Sequence, residues 1–160
     1  MIKTKNKGEY HIHLKNAGVF SAGTGKDFFL VPAAGYIKAI VASFGLAGTD
    51  GTGAPTQDIQ VDIMKNGTSI FASAATAITW AHAGQTGGAN TPSNATSVGV
   101  PVVNPTPVAK GDKIRLDNIQ ILNGTSPTQP SDLHVLVVLT RGYQSAPEGM
   151  LQNQFSELDA

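Results

Sequence analysis

The sequence contains no cysteine, which excludes disulfide staples and thiolate metal sites and leaves the redox compartment unmarked. Charge is also scarce: 14% of the residues are Asp, Glu, Lys or Arg, against roughly 25% in an ordinary globular domain. Glutamate occurs only at Glu9, Glu148 and Glu157, and arginine only at Arg115 and Arg141. Helix surfaces are normally filled with these residues, so few helices are expected. No stretch approaches the ~20 apolar residues that span a bilayer, and the opening MIKTKNKGEYHIHLKN lacks the apolar run of a signal peptide. We expect a soluble protein made in a cytoplasm, with no membrane partner. Formal net charge is zero, so no global basic field gathers nucleic acid, and no nucleic-acid partner is expected.

Gly, Thr, Ala, Asn and Pro dominate instead, a mixture suited to strands joined by turns. The 160 residues fit one domain with a real core. Three regions separate by composition. Residues 1–25 read as a basic arm, with Lys3, Lys5, Lys7 and Lys15 opposed only by Glu9, ending in Ser21-Ala22-Gly23-Thr24-Gly25. Residues 26–142 hold nearly all the strand-like patterns. Residues 143–160, YQSAPEGMLQNQFSELDA, form a tail with acidic and no basic side chains. The sequon-like triplets at Asn66, Asn94 and Asn123 read as incidental without a secretory signal.

Ile59, Val61 and Ile63 alternate with Asp58, Gln60 and Asp62, the signature of a half-buried strand. Asn66-Gly67 follows, a pair that favours a type I′ turn because both positions need positive φ. Residues 68–72 read as the returning strand. Further strands are expected at 27–31, 36–44, 77–81, 97–103, 113–122 and 133–141. Within 113–122 the apolar parity shifts between Ile114/Leu116 and Ile119/Ile121, so a bulge near Asp117-Asn118 is expected to bring all four to the core. Leu133–Leu139 is apolar on both faces except for His134, as in a central strand or one covered by a neighbouring subunit. The turn-rich stretches 47–56 and 83–96 are expected as loops at the ends of a sandwich, where such folds place binding surfaces. The fold expected is all-β: an antiparallel β-sandwich, jelly-roll-like, with an extended N-terminal arm and a C-terminal tail.

Candidate chemistry is thin. His11 and His13 share a strand face, but no carboxylate follows over residues 14–20 to complete a metal site. Gly23-Thr24-Gly25-Lys26 is half a P-loop: Phe20 stands where glycine is needed, Asp27 where Ser or Thr is needed, and the strand-like Phe28-Phe29-Leu30-Val31 follows instead of a helix. Asp58 and Asp62 share a face with nothing to split their pKa values. No G-x-S-x-G elbow occurs. Trp80 near His82 could line a carbohydrate pocket, though a lone Trp in an apolar strand is more often core. No catalytic residue, metal or cofactor is expected, and the chain does not read as an enzyme.

Three segments carry a resemblance: Val61-Asp62-Ile63-Met64-Lys65-Asn66-Gly67-Thr68-Ser69-Ile70, then Val108-Ala109-Lys110-Gly111-Asp112-Lys113-Ile114-Arg115-Leu116-Asp117, then Leu133–Leu139. Together they resemble the hairpin, the Gly-Asp-led alternating strand and the closing strand of small jelly-roll virion proteins of tailed bacteriophages. The resemblance covers about half the chain and transfers no catalytic residue. It implies a structural virion protein, foremost a capsid decoration (cement) protein on the outer capsid surface. Such a protein would form a homotrimer, contact the major capsid protein and bridge capsomers. It also leaves open a receptor-binding fibre-tip module, with loops 47–56 and 83–96 on host glycans, and a tail or neck adaptor. A fibre tip is expected to follow a shaft of collagen-like or coiled-coil repeats, which this sequence lacks. The termini are the expected interface: Lys3, Lys5 and Lys7 along one edge of an extended arm, and Phe155 and Leu158 on one side of a helical turn.

Overall fold

The computed structural model describes residues 8–49, 51–53, 56–72, 77–82 and 101–141. Among these residues the chain forms nine strands and no α-helix: β1 (Glu9–Val19), β2 (Gly23–Leu30), β3 (Gly35–Leu46), β4 (Ile59–Lys65), β5 (Thr68–Ser69), β6 (Ile78–Trp80), β7 (Pro101–Val108), β8 (Lys113–Gln120) and β9 (Ser131–Arg141). One sheet runs β1-β9-β3-β7; the other runs β2-β8-β4, with β5 and β6 sharing the far edge of β4. Every pairing is antiparallel. The chain crosses between sheets at each step except from β4 through β5 to β6. A four-stranded and a five-stranded sheet filled in this alternating order are the jelly-roll wind.

Alternation decides which side chains enter the core. Ile59, Val61 and Ile63 of β4 are fully buried and face Ile37, Ile40 and Phe44 of β3 and Val135, Val137 and Leu139 of β9 within one cluster. Trp80 belongs to this cluster, tilted on Phe44 at 4.7 Å between ring centroids, and Phe44 meets Phe20 edge-on at 5.2 Å. Trp80 is fully buried, so it is core and not the wall of a carbohydrate pocket. β9 is central in its sheet, flanked by β1 and β3; its Leu133, Val135, Val137 and Leu139 are buried in the core, and Leu136 and Val138 on the outer face are half-buried. Gly35 marks the tightest strand crossing. A Cβ built there would lie 2.1 Å from the Thr140 carbonyl oxygen.

The structure differs from the sequence reading in three places. Residues 9–25 are not an arm. Tyr10, Ile12 and Leu14 point inward from β1 while Glu9, His11 and His13 point out, and Gly23–Lys26 opens β2. Of the residues read as the arm, 1–7 lie outside the described residues. The bulge in β8 exists, but its direction is reversed. Val61 faces Asn118 and Gln60 faces Gln120, leaving Ile119 as the extra residue. Ile119 is exposed, while Asn118 turns inward and donates from Nδ2 to the Ser21 carbonyl at 2.8 Å. Finally, the strand returning after the hairpin is short, Thr68–Ser69, and β7 begins at Pro101, with 97–100 outside the described residues.

Candidate functional site

The sandwich has two unlike ends. At one, Glu9 faces Thr140, Gly35 faces Arg141 and Val108, Leu30 faces Lys113, and Lys65 faces Ile114. Both chain ends therefore leave from this end, side by side: the Arg141 amide donates to the Gly8 carbonyl at 3.2 Å. The two sheets are tied together here. The Tyr10 hydroxyl donates to Ala33 O at 3.0 Å, and Lys65 Nζ donates to Pro107 O at 2.8 Å. Within the second sheet the β2–β8 ladder continues past the strands: the Val31 amide donates to Asp112 O, and the Gly111 amide to Val31 O, both at 2.8 Å.

Asn66 and Gly67 form the two-residue tip between β4 and β5, with φ of 50° and 89°. Both values are positive, as a type I′ turn requires. The Asn66 side chain bridges to the β7–β8 turn. Its Nδ2 donates to Asp112 Oδ1 and its Oδ1 accepts from the Lys113 amide, each at 2.8 Å. Asp112 also accepts the Ala109 amide at 2.9 Å. The Ala109 bond, then the Asn66 bond, hold the Asp112 carboxyl below its ordinary pKa.

Charge follows the same axis. The end from which the termini leave carries Lys38, Lys65, Lys110, Lys113 and Arg141 against Glu9 and Asp112. The remainder of the described sandwich carries Lys15, Lys26 and Arg115 against Asp27, Asp58, Asp62, Asp117 and Asp132. Among the described residues the sandwich is thus polarised, basic at one end and acidic away from it. Glu9 is paired with Lys38, which lowers its pKa. Lys3, Lys5 and Lys7 precede Gly8 in the sequence, and Phe155 and Leu158 follow Arg141. All five lie outside the described residues.

At the opposite end, the loop after β3 pairs with the loop after β8. Thr49 bridges Thr128, and Thr52 bridges Thr125. Asn123 Oδ1 accepts the Thr56 and Gln57 amides at 3.0 and 2.9 Å. This ribbon braces most of the 47–56 loop; residues 83–96 lie outside the described set.

The other sequence candidates are separated or absorbed. His11 and His13 are exposed on the outer face of the first sheet, where Lys15 faces His134. Among the described residues no group of three His, Cys, Asp or Glu side chains is arranged to hold a metal. Gly25 donates its amide to Asp117 at 2.7 Å and Lys26 binds Ser21, so this half P-loop is strand structure. Asp58 accepts the His82 amide at 2.9 Å. Asp62 faces Asp117 across the β4–β8 pair. Burial raises the Asp62 pKa and Asp117 raises it further, against the lowering bonds from Ser69 and the Ile63 amide. Asp117 is held by Arg115 in a two-pronged pair at 2.8 and 2.6 Å.

The outer face of the second sheet carries a patch that sequence reading missed. Phe28 and Leu30 are 55% and 60% exposed on edge strand β2, opposite Arg115 and Lys113. Lys113 Nζ sits 4.4 Å above the Phe28 ring. The signal was present: in Asp27-Phe28-Phe29-Leu30-Val31 only alternate side chains can face a core. No protein-family model, no curated protein and no solved structure matches the chain.

Proposed function

We propose that this chain is a capsid decoration protein of a tailed bacteriophage, binding the outside of the head through the end from which both termini leave. The observation that carries this reading is the coincidence of three features at one end of a jelly roll: the N-terminal exit, the C-terminal exit and the excess of basic side chains. A protein that clamps a lattice needs contacts that can reach past its own footprint. Two extensions leaving the same end meet that need while the sandwich stands above the shell. The basic end favours an acidic patch of the major capsid protein, since complementary charge raises association rate and fixes orientation. The homotrimer belongs to this reading as what the resemblance to phage jelly-roll virion proteins implies.

A second reading, a host-binding fibre-tip module, draws on the braced ribbon at the opposite end. A loop surface held by Thr49–Thr128 and Thr52–Thr125 pairing suits recognition. Co-sedimentation with heads lacking the protein separates the two. The decoration reading expects saturable binding with hundreds of copies per head, weakened at about 0.5 M salt, where screening shortens to a few ångströms, and by Lys110→Glu with Arg141→Glu. Binding to host cells, and none to heads, overturns it.

A further inference from the structure

We propose that the patch formed by Phe28, Leu30 and Lys113 is the docking site of this chain's own C-terminal segment, residues 150–159, in the free protein. The patch is an apolar pair with a cation beside it, on an edge strand. A matching ligand has exposed apolar side chains next to carboxylates. Residues 150–159 supply Met150, Leu151, Phe155 and Leu158 beside Glu157 and Asp159, and no basic residue follows Arg141. No other segment outside the described residues has this composition: 1–7 is basic, and 83–100 carries no Asp, Glu, Lys or Arg.

Place and length agree. Leu30 and Lys113 face each other at the end from which the chain leaves after Arg141. Residues 142–149 separate Arg141 from Met150, and these eight residues span up to about 26 Å when extended at ~3.3 Å each. The two sheets of a sandwich lie ~10 Å apart, so the segment reaches the outer face of the second sheet from β9. A tether of this length holds the tail near the patch at a local concentration in the millimolar range. That exceeds the working concentration of a freely diffusing second copy and favours the chain's own tail over one from a separate molecule. The contact covers Phe28 and Leu30 together with Phe155 and Leu158, so neither pair is left as an open apolar patch.

The absence of cysteine makes the test clean. In the full chain, Pro32→Cys places a thiol two residues beyond Leu30 at an exposed position, and Ser156→Cys places its partner beside Phe155. The control pairs Ser156→Cys with Tyr36→Cys, an exposed position on the opposite sheet that faces Thr140 at the same end. Circular dichroism checks that each variant folds. The proposal expects an intramolecular disulfide forming about tenfold faster in the Pro32 pair than in the control, as docking adds to a shared tether. That advantage should disappear with Lys113→Glu. Equal rates in the two pairs overturn it. So does an intermolecular disulfide, which would assign the patch to a second copy, or an advantage that survives Lys113→Glu. No shell is present in this experiment, so its outcome is independent of whether the protein decorates a capsid.

Discussion

Replacing Asn66 separates its two roles at the basic end. Gly tolerates the φ of 50° but removes both side-chain bonds, to Asp112 and to the Lys113 amide. A typical net hydrogen bond contributes about 1 kcal/mol, and one to a charged group somewhat more. Both bonds are exposed, so water recovers part of the loss, and Asn66→Gly is expected to cost about 1–2 kcal/mol. Asn66→Ala loses the same bonds and adds the strain of a Cβ in the left-handed region, about 1 kcal/mol more. The order expected is wild type, then Gly, then Ala. Urea denaturation followed by tryptophan fluorescence reads this directly, because Trp80 is the single tryptophan and is buried. With m of about 1–3 kcal/mol/M, the midpoint falls by roughly 0.3–2 M for Gly at unchanged m. Loss of the bridge also relieves Asp112. Its carboxyl now titrates below the unfolded value of 3.8, so it contributes stability that is present above that value and lost as pH falls through the folded one. In Asn66→Gly this acid-labile part shrinks. A Gly variant as stable as wild type, or an Ala variant no worse than Gly, refutes this account.

Gly35→Ala drives a methyl to 2.1 Å from the Thr140 carbonyl. Neither strand can retreat without breaking the β3–β9 ladder, so the variant is expected to lose about 3 kcal/mol or more, read as a fall in thermal midpoint. Gly67→Val, at a φ of 89°, should cost more than ~1 kcal/mol by the same measurement. Asp62 has the opposite sign to Asp112: its folded pKa lies above 3.8, so its ionised form opposes folding at neutral pH and the penalty fades as pH falls through that window. Asp62→Asn should match or exceed wild-type stability at pH 7 and lose any advantage below about pH 4; a large loss at pH 7 counts against it.

Much of the fold was legible because β4, the Asn66-Gly67 turn and β9 each carry a pattern with one reading. Ile59, Val61 and Ile63 fix one face, and two positive-φ residues fix the turn. β1 was legible as well, in the alternation of Tyr10, Ile12 and Leu14 with Glu9, His11 and His13. The surrounding lysines and the glycine-rich segment after it hid that period behind an arm-like composition. The reversed bulge has a different cause. Parity shows that one residue must be extra, but whether Asn118 or Ile119 turns inward depends on a partner. Ser21 O supplies that partner, 97 residues away along the chain. The basic end was invisible for the same reason. Lys38, Lys65, Lys110, Lys113 and Arg141 are scattered in a sequence of zero net charge, and only the jelly-roll wind collects them beside the exit of both termini.

The central claim is that the two terminal segments carry attachment. Because β1 begins at Glu9, the informative deletions are residues 1–7 and residues 143–160, which leave every described strand intact. Each deletion variant should fold, by circular dichroism and an unchanged tryptophan emission. Phe155 and Leu158 could each contribute up to ~2 kcal/mol on burial against a neighbour, and every 1.4 kcal/mol is about tenfold in affinity. Titrating heads that lack the protein with the full chain and with each variant, and measuring the bound fraction by sedimentation, gives the test. Affinity should fall at least about tenfold for the tail deletion. The deletion of 1–7 should lose the salt-sensitive part of the binding. Two variants that bind heads as tightly as the full chain would place attachment on the sandwich itself and contradict the claim.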